Sequence, residues 1–424
     1  MKAPRRTSPL PGPFWRQWSA SAVSNLGDGI NFVAMPLLAF SLTQDERLLA
    51  FTTFATMVPW LVLALPIGVA VDRYDRRRLM IGANAVRLVL FTGIAVGAGT
   101  GSIGIWTLLA TLAVIGACEV AFDSSAQAFV PMLVGVRDLP RANGYLMAAE
   151  VVAGSVLGLS VGAFLFESGR GVPFGINAAS FAVAAVLIAT IHVSGRHRSS
   201  VDETPRSFHA SVQAGIKWLV GDRLLRTLAM MLAVANLGLM LGQGIFVKYA
   251  AVELGVTGTG FGLLLLASAV GAALGGITGH RISRRLGTRL GIIVPFAALG
   301  VTELVFWLAP AAWVIAIVGF VTGGAIAVWN VVTVSLRQEL IPRDLFGRVN
   351  SVYRWLGTGA SALGALIGGQ LAFYANLRLP YLVAGVTTLA ALAIVVWPVL
   401  RGVAGLRAPD QSAEDLTPAP PSIT

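Results

Sequence analysis

The chain has 424 residues, 56% of them hydrophobic and 12% charged, and a net charge of +11. Soluble domains carry about 25% charged residues, so the composition excludes an ordinary soluble protein and points to one that lives in a bilayer. A single cysteine, Cys118, has no partner for an internal disulfide, and His192, His197, His209 and His280 form no metal-ligand pattern with it.

Apolar runs of about 20 residues, enough to cross a bilayer's hydrocarbon core, recur twelve times between charged or Gly/Pro punctuation. They lie at about 16–41, 49–71, 79–99, 105–128, 143–166, 173–194, 224–249, 258–280, 288–309, 312–336, 349–374 and 379–400. The first run follows Arg5 and Arg6 but is too long for a signal-peptide core, so it reads as a retained first span. Between the sixth and seventh runs, 195–222 is the longest polar stretch. Phe208, Val212, Ile216 and Leu219 recur in it at helical spacing, which predicts a short interfacial helix. Beyond residue 402 the polar, Pro-rich tail reads as disordered. The expected organisation is a six-span half at 1–194, a linker at 195–222, a second six-span half at 223–402 and a tail at 403–424. The fold class is therefore an all-α membrane protein, with twelve transmembrane helices in two pseudo-symmetric halves.

Positive charge is distributed unevenly among the connections. Arg16, Arg73, Arg76 to Arg78, Arg141, Arg223, Arg226, Arg281, Arg284, Arg285, Arg289, Arg348 and Arg401 all fall on one side of the alternation. The other side holds only Arg47, Arg170, Lys248 and Arg378. Excess Lys/Arg marks the cytoplasmic side, so both termini are expected there. The basic charge needs no nucleic acid to explain it. The excess of 28 Arg over 3 Lys hints at a high-GC bacterium, which points to a bacterial plasma (inner) membrane.

The two halves repeat. Gly68, Asp72, Arg73, Arg76 and Arg77 match Gly276, His280, Arg281, Arg284 and Arg285 at an offset of 208. The Gly158/Gly162 pair matches Gly364/Gly368 at 206, and Asn25-Leu26-Gly27 matches Asn236-Leu237-Gly238 at 211. Parallel repeats of six spans build transporters whose substrate site lies between the halves near the midplane.

With twelve spans, a central linker and GVAVDRYDRRR after the second span, the chain resembles the major facilitator superfamily. That family's G-x-x-x-D-R-x-G-R-R/K signature is matched by Gly68, Asp72, Arg73, Arg76 and Arg77, with Asp75 in place of the second glycine. SNLGDGINFVAMPLL in the first span is similar to the subgroup of the enterobactin exporter and related multidrug exporters. In span 5, Gly158 and Gly162 keep the glycine frame of the family's antiporter motif without its proline. The resemblance implies alternating access, a cytoplasmic gate at Gly68, Asp72, Arg73, Arg76 and Arg77, and an acid, Asp123, that partners the loop arginines.

Charges inside the spans are few, and each costs about 2.5–3.5 kcal/mol at a helix centre, so each needs a partner or a function. Asp28 lies in the glycine-flanked middle of span 1, either as a proton carrier or as a structural partner of Arg87 in span 3. Glu119, Asp123 and Gln127 share one face of span 4 at four-residue spacing. Glu119 divides evenly between proton relay and structural pairing; Asp123 reads as a gate lock. Glu150 and Glu303 are further proton-coupling candidates, and Arg354, about one turn inside the basic end of span 11, either snorkels to the interface or closes the gate with Asp72 or Asp123. Trp329 and Asn330, the latter at the repeat position of Asp123, are candidates for the central cavity.

Two motifs carry no chemistry here. Gly99-x-Gly101-x-x-Gly104 lacks a preceding strand, and Gly158-x-Ser160-x-Gly162 lies inside a span. No lysine sits in a Walker A frame. The sequence thus predicts no enzyme and no cofactor, but a monomeric secondary exporter of an amphipathic drug, siderophore or natural product, coupled to protons. A flippase or importer of the same fold, and a receptor or scaffold that has lost coupling, remain open alternatives.

Overall fold

The computed structural model describes residues 9–135, 138–192, 208–342 and 345–405. Arg137, Arg343, Asp344, most of the linker up to residue 207 and the tail after 405 lie outside them, as does the side chain of Asp72. Among the described residues the chain is almost wholly helical, and eleven helical stretches are long and apolar enough to cross a membrane.

The first group of helices comprises α1 (Gly12–Leu42), α2 (Glu46–Arg73), α3 (Arg76–Thr100), α4 (Ile105–Leu133), α5 (Leu139–Ala149), α6 (Leu159–Ser168) and α7 (Val172–Ala189). Helix α8 (Phe208–Gly221) follows, and Gly215 in it packs against the backbone of Arg348. The second group comprises α9 (Arg223–Gln243), α10 (Phe246–Leu254), α11 (Gly258–Leu308), α12 (Ala312–Leu340), α13 (Phe346–Tyr374) and α14 (Leu379–Gly405). The described connections alternate between a basic face, with Tyr74–Asp75, Asp222 and Ile341–Pro342, and an opposite face, with 43–45, 101–104, 169–171, 255–257, 309–311 and 375–378. Outward-pointing apolar side chains such as Val89, Trp106, Ile277 and Ile394 are exposed, as lipid contact requires.

Three elements differ from the runs read in the sequence. The 51 residues of α11 would extend about 76 Å if straight, more than twice the hydrocarbon thickness of about 30 Å. Gly287, at φ 71° and ψ 166°, breaks the helix, and the chain turns back there. Before it, Gly271, Gly275 and Gly279 meet Phe320, Gly324 and Val328 of α12 in ascending order; after it, Gly291 and Phe296 meet Val332 and Trp329 in descending order. The runs at 258–280 and 288–309 fall on these two arms, and Arg281, Arg284 and Arg285, read as loop residues, stand on a helical extension of the first arm. The run at 224–249 is not continuous: α9 ends at Gln243, and Gly244 packs against Ala50 of α2, with space for a Cβ only 3.0 Å from its Cα. The run at 143–166 contains a π-helical segment, Glu150–Gly158, between α5 and α6. Such segments are rare and concentrate at functional sites.

Glycine contacts hold α1 against this π segment. A Cβ on Gly158 would lie 2.7 Å from the Gly29 Cα, and one on Gly162 2.6 Å from the Ile30 carbonyl oxygen. On its other side, Gly27 of α1 sits directly on Asn177 and Ser180 of α7. The second group repeats the pattern: Gly364 and Gly368 of α13 sit on Leu237 and Leu241 of α9, and Gly238 sits on Thr388 of α14. Small residues let helix backbones approach where lipid gives no hydrophobic drive for association. Replacing Gly158 by Val should therefore overpack the seam by about 1–3 kcal/mol, lowering the thermal midpoint and the monodisperse yield in detergent. Gly82→Ala, at a site with nothing within 4 Å, should leave both unchanged or slightly raised.

Candidate functional site

The glycines that bring α1 close to its neighbours also set the position of Asp28. Its carboxyl is half-buried, and the Ser24 hydroxyl donates to it at 3.4 Å. Asn177 of α7 lies beside it. Asn177 is fully buried; its Oδ1 accepts from Ser180 at 3.1 Å, and its Nδ2 has no partner. Across from Asp28, Arg87 of α3 is 2% exposed. Its guanidinium lies 5.3 Å from the Phe122 ring and 5.0 Å from the Phe181 ring, the placement in which an aromatic face attracts a cation.

Arg87 exerts its field on Asp28, Glu119 and Asp123 together. Among the described residues it forms no ion pair within 4.0 Å, and its Nε has no hydrogen-bond partner. The Asp28–Arg87 relation is thus a shared field and not a closed pair. Glu119 is half-buried beside Trp60 of α2, one turn from Asp123, which is exposed. Glu150 is exposed at the start of the π segment, within the field of Asp123. Arg354 of α13 is exposed and acts on Asp123 from the second group of helices. The structure therefore brings Asp28, Arg87, Glu119, Asp123, Glu150 and Arg354 into one electrostatic cluster.

The loop residues after α2 contact their own helix group. Arg76 Nη1 meets the Met132 Sδ at 3.1 Å. Arg77 donates to the carbonyls of Ile188, at 3.1 Å, and Ala189, while Arg16 donates to Thr190 O at 2.7 Å. Cations suit the carbonyl-rich C-terminus of a helix, and here they cap α7. Asp75, in the signature's glycine position, caps α3 by accepting from the Arg78 N–H at 2.9 Å. Gly68 has open space around it, and Arg73 is exposed.

In the second group, Glu303 is 6% exposed, and its Oε2 has no partner. Tyr381 is its ionisable neighbour. Trp329 and Asn330 point to different sides. Trp329 is buried against Phe296 at 5.3 Å, in the core and away from the cleft, because its large ring fills space between α11 and α12. Asn330 is exposed and lines a cavity of about 460 Å³ that opens between α9, α12 and α13.

The opposite face is sealed by contacts that the sequence reading did not single out. Lys248 of α10 bonds the Glu46 carboxylate of α2 at 2.7 Å and the Gln44 carbonyl. Glu167 of α6 accepts from the Thr259 backbone N–H at 2.6 Å and from its hydroxyl at 2.7 Å. The Arg47 guanidinium sits 3.7 Å from the Phe373 ring, and Gly369 lies on Ala50. Toward the basic face the last described hydrogen bond between the groups is Trp355 Nε1 to Leu61 O, at 3.1 Å. The scarcity of lysine could have flagged Lys248; nothing local pairs it with Glu46, 202 residues away.

Membrane-spanning helices that are closed together at one face and enclose charged side chains suit a transporter, and a family profile decides which one. The profile described as transmembrane secretion effector, within the major facilitator superfamily, matches residues 6–421. The chain belongs to this family. It is 27% identical over 419 residues to the multidrug efflux pump Tap of Mycobacterium tuberculosis, covering 96% of each chain. It is 24% identical to macrolide efflux protein A of Streptococcus pyogenes, covering 90% of this chain and 94% of that protein. To the enterobactin exporter EntS of Salmonella typhi it is also 24% identical, covering 82% and 83%. Among solved structures, a bacterial homologue of the iron transporter ferroportin in its inward-facing state superposes with a TM-score of 0.70 at 16% identity, covering 92% and 98%. A bacterial homologue of the human lysosomal transporter Spinster, inward-facing and unoccupied, gives 0.70 at 13%, covering 94% and 98%. The family's fold is that of a major facilitator transporter, and the relatives named here are efflux or export proteins of bacteria.

The seal on the opposite face yields a direct expectation. Lys248→Met with Glu167→Gln removes two polar clasps worth about 1 kcal/mol each. Together they should shift the balance between closed and open opposite faces by roughly tenfold or more. Distances between spin labels placed at the exposed positions 44 and 375 should then show a second, longer population that is minor in the labelled protein without the two substitutions.

Proposed function

We propose that this protein is a proton-coupled secondary exporter of amphipathic small molecules that works by alternating access. The arms of α11 count as two spans, making twelve in two six-helix repeats. The basic face is cytoplasmic, on the Lys/Arg asymmetry of the connections. In this reading the structure is the inward-open state: the clasps of Lys248–Glu46 and Glu167–Thr259 close the outer face, while the cleft opens beside Asp123 and Arg354.

The observation that carries the proposal is the shared field of Arg87. One buried arginine faces Asp28, Glu119 and Asp123 without closing an ion pair on any of them. Carboxylates held in this way can gain and lose a proton without breaking a contact ion pair, and intramembrane acids of this kind mark proton relays. A proton taken by Asp28 from the outer side cancels one negative charge beside Arg87 and favours inward opening. Its release to the cytoplasm restores the charge and resets the cycle. The glycine seam of α1 against Gly154, Gly158 and Gly162 gives that helix a smooth surface for rocking against its neighbours. Each proton crossing about 100 mV supplies about 2.3 kcal/mol, enough for roughly fifty-fold accumulation per net charge moved. Export, as opposed to import, follows the named activities of the relatives.

On the cytoplasmic side, Asp72, Arg73, Arg76, Arg77 and Gly68 form the second gate, with Asp123 and Arg354 closing across the cleft when the protein faces outward. Glu303 and Glu150 stand as secondary proton sites. The test is flux of ethidium into proteoliposomes under an imposed pH gradient. Asp28→Asn should reduce gradient-driven accumulation to a tenth or less while keeping downhill ethidium exchange. Accumulation by Asp28→Asn equal to that of the unmodified protein removes Asp28 from the coupling step, and flux indifferent to the gradient removes proton coupling altogether.

A further inference from the structure

The cavity between α9, α12 and α13 has the electrical character opposite to that of the Arg87 cluster. No acidic side chain is among its lining residues, which include Arg337, Arg354, Asn236, Asn330, Asn350 and Tyr353. Arg337 is 7% exposed, so a full positive charge is nine-tenths buried there. Its Nη1 donates to Asn350 Oδ1 at 2.7 Å and its Nε to the Thr333 carbonyl at 3.3 Å, and the guanidinium stacks 4.0 Å from the Tyr353 ring. These partners are all neutral. Among the described residues no carboxylate lies within 4.0 Å of it. An arginine carries five N–H donors in a planar fork, and the Nη2 group of Arg337 makes no described hydrogen bond while the side chain borders the cavity.

The internal repeat shows that this is a property of one half. Asp123, Glu119 and Asp28 in the first half correspond to Asn330, Ile326 and Leu239 in the second. Conversely, Arg337 corresponds to Val130 or Pro131. Among the described residues that line the cleft, acids stand on the first wall and the arginine with no carboxylate within 4.0 Å on the second. A buried guanidinium without a counter-ion is costly unless something supplies the charge, and the planar fork matches carboxylate and phosphate oxygens.

We propose that the Arg337 pocket is an anion subsite that binds a carboxylate or phosphate group of the transported molecule, so that the cleft recognises amphipathic acids and zwitterions as well as cations. Tyr353 holds the guanidinium plane from one side, Asn350 fixes one arm of the fork, and the free arm meets the anion. Arg354, already facing Asp123 across the cleft, contributes less. The inference rests on the reading of the basic-face cleft as the substrate chamber, but its test requires no flux.

The experiment measures equilibrium binding of rhodamine B, a carboxylate-bearing zwitterion, and of its cationic ethyl ester to the purified full chain in detergent by fluorescence anisotropy. Arg337→Gln should weaken rhodamine B binding at least tenfold and that of the ester no more than twofold. Asn350→Asp, nearly isosteric, supplies an internal carboxylate to the same guanidinium and should weaken rhodamine B binding similarly while sparing or strengthening that of the ester. Equal losses for both dyes, or no loss for either, overturn the subsite. Displacement of rhodamine B by benzoate supports a soluble carboxylate as the ligand. Displacement by short-chain phosphatidylglycerol, absent in Arg337→Gln, supports the same subsite with a lipid phosphate as its source. Failure of Asp28→Asn to uncouple flux leaves this result untouched, and equal dye losses leave the coupling experiment untouched.

Discussion

Hydrocarbon offers a charged group neither water nor counter-ions, and the placement of every ionisable side chain in this protein answers to that fact. Among the described residues the three close ion pairs, Arg47–Asp45, Lys248–Glu46 and Arg378–Glu253, all lie at the opposite face. Deep in the helices the charges are not paired by contact. Arg87 shares its field among three carboxylates and rests on two phenylalanine rings; Arg337 rests on a tyrosine and an asparagine; Glu303 has no cation. Contact pairs stand at one face, while the interior charges are held by shared fields, aromatic rings and neutral hydrogen-bond partners.

Close helix packing makes this arrangement mechanically usable. Both helix groups hold their first helix between the same two neighbours through glycines, α1 against the π segment, α6 and α7, and α9 against α13 and α14. Backbone-to-backbone surfaces of this kind carry few interlocking side chains, so one helix can tilt against another with little repacking. The π segment at Glu150–Gly158 lies on that seam, next to the acids. Where the groups meet each other at the opposite face, the polar clasps stand beside an apolar cluster in which Val33, Leu37 and Ala50 pack with Phe246, Phe261 and Leu264.

The two sequence repeats share glycine contacts but not ionisable residues. Repeat-related positions carry Asp28 and Leu239, Asp123 and Asn330, Val130 or Pro131 and Arg337. A symmetric scaffold with unequal walls can offer one ligand two kinds of recognition, acid on one side and guanidinium on the other.

Much of this was legible in the residues. Membrane-spanning helices announce themselves by apolar length, the repeat by a near-constant offset, and intramembrane acids by their rarity, because all three are signals within a few tens of residues along the chain. The turn at Gly287, the break at Gly244 and the π segment were not, because an apolar helical run reads the same whether straight, bent or underwound. Arg337, just past the apolar run at 312–336, carries no local mark of its burial, since that burial is set by Asn350, Tyr353 and Thr333 packing around it. Likewise the sealed face depends on Lys248 meeting Glu46 across 202 residues. The sequence alone determined the membrane, the family resemblance and which side chains could carry charge through the bilayer. Only the tertiary structure decided which of those charges touch, which face is closed and which arginine has no carboxylate partner among the described residues, because those facts depend on distances between helices that no local pattern encodes.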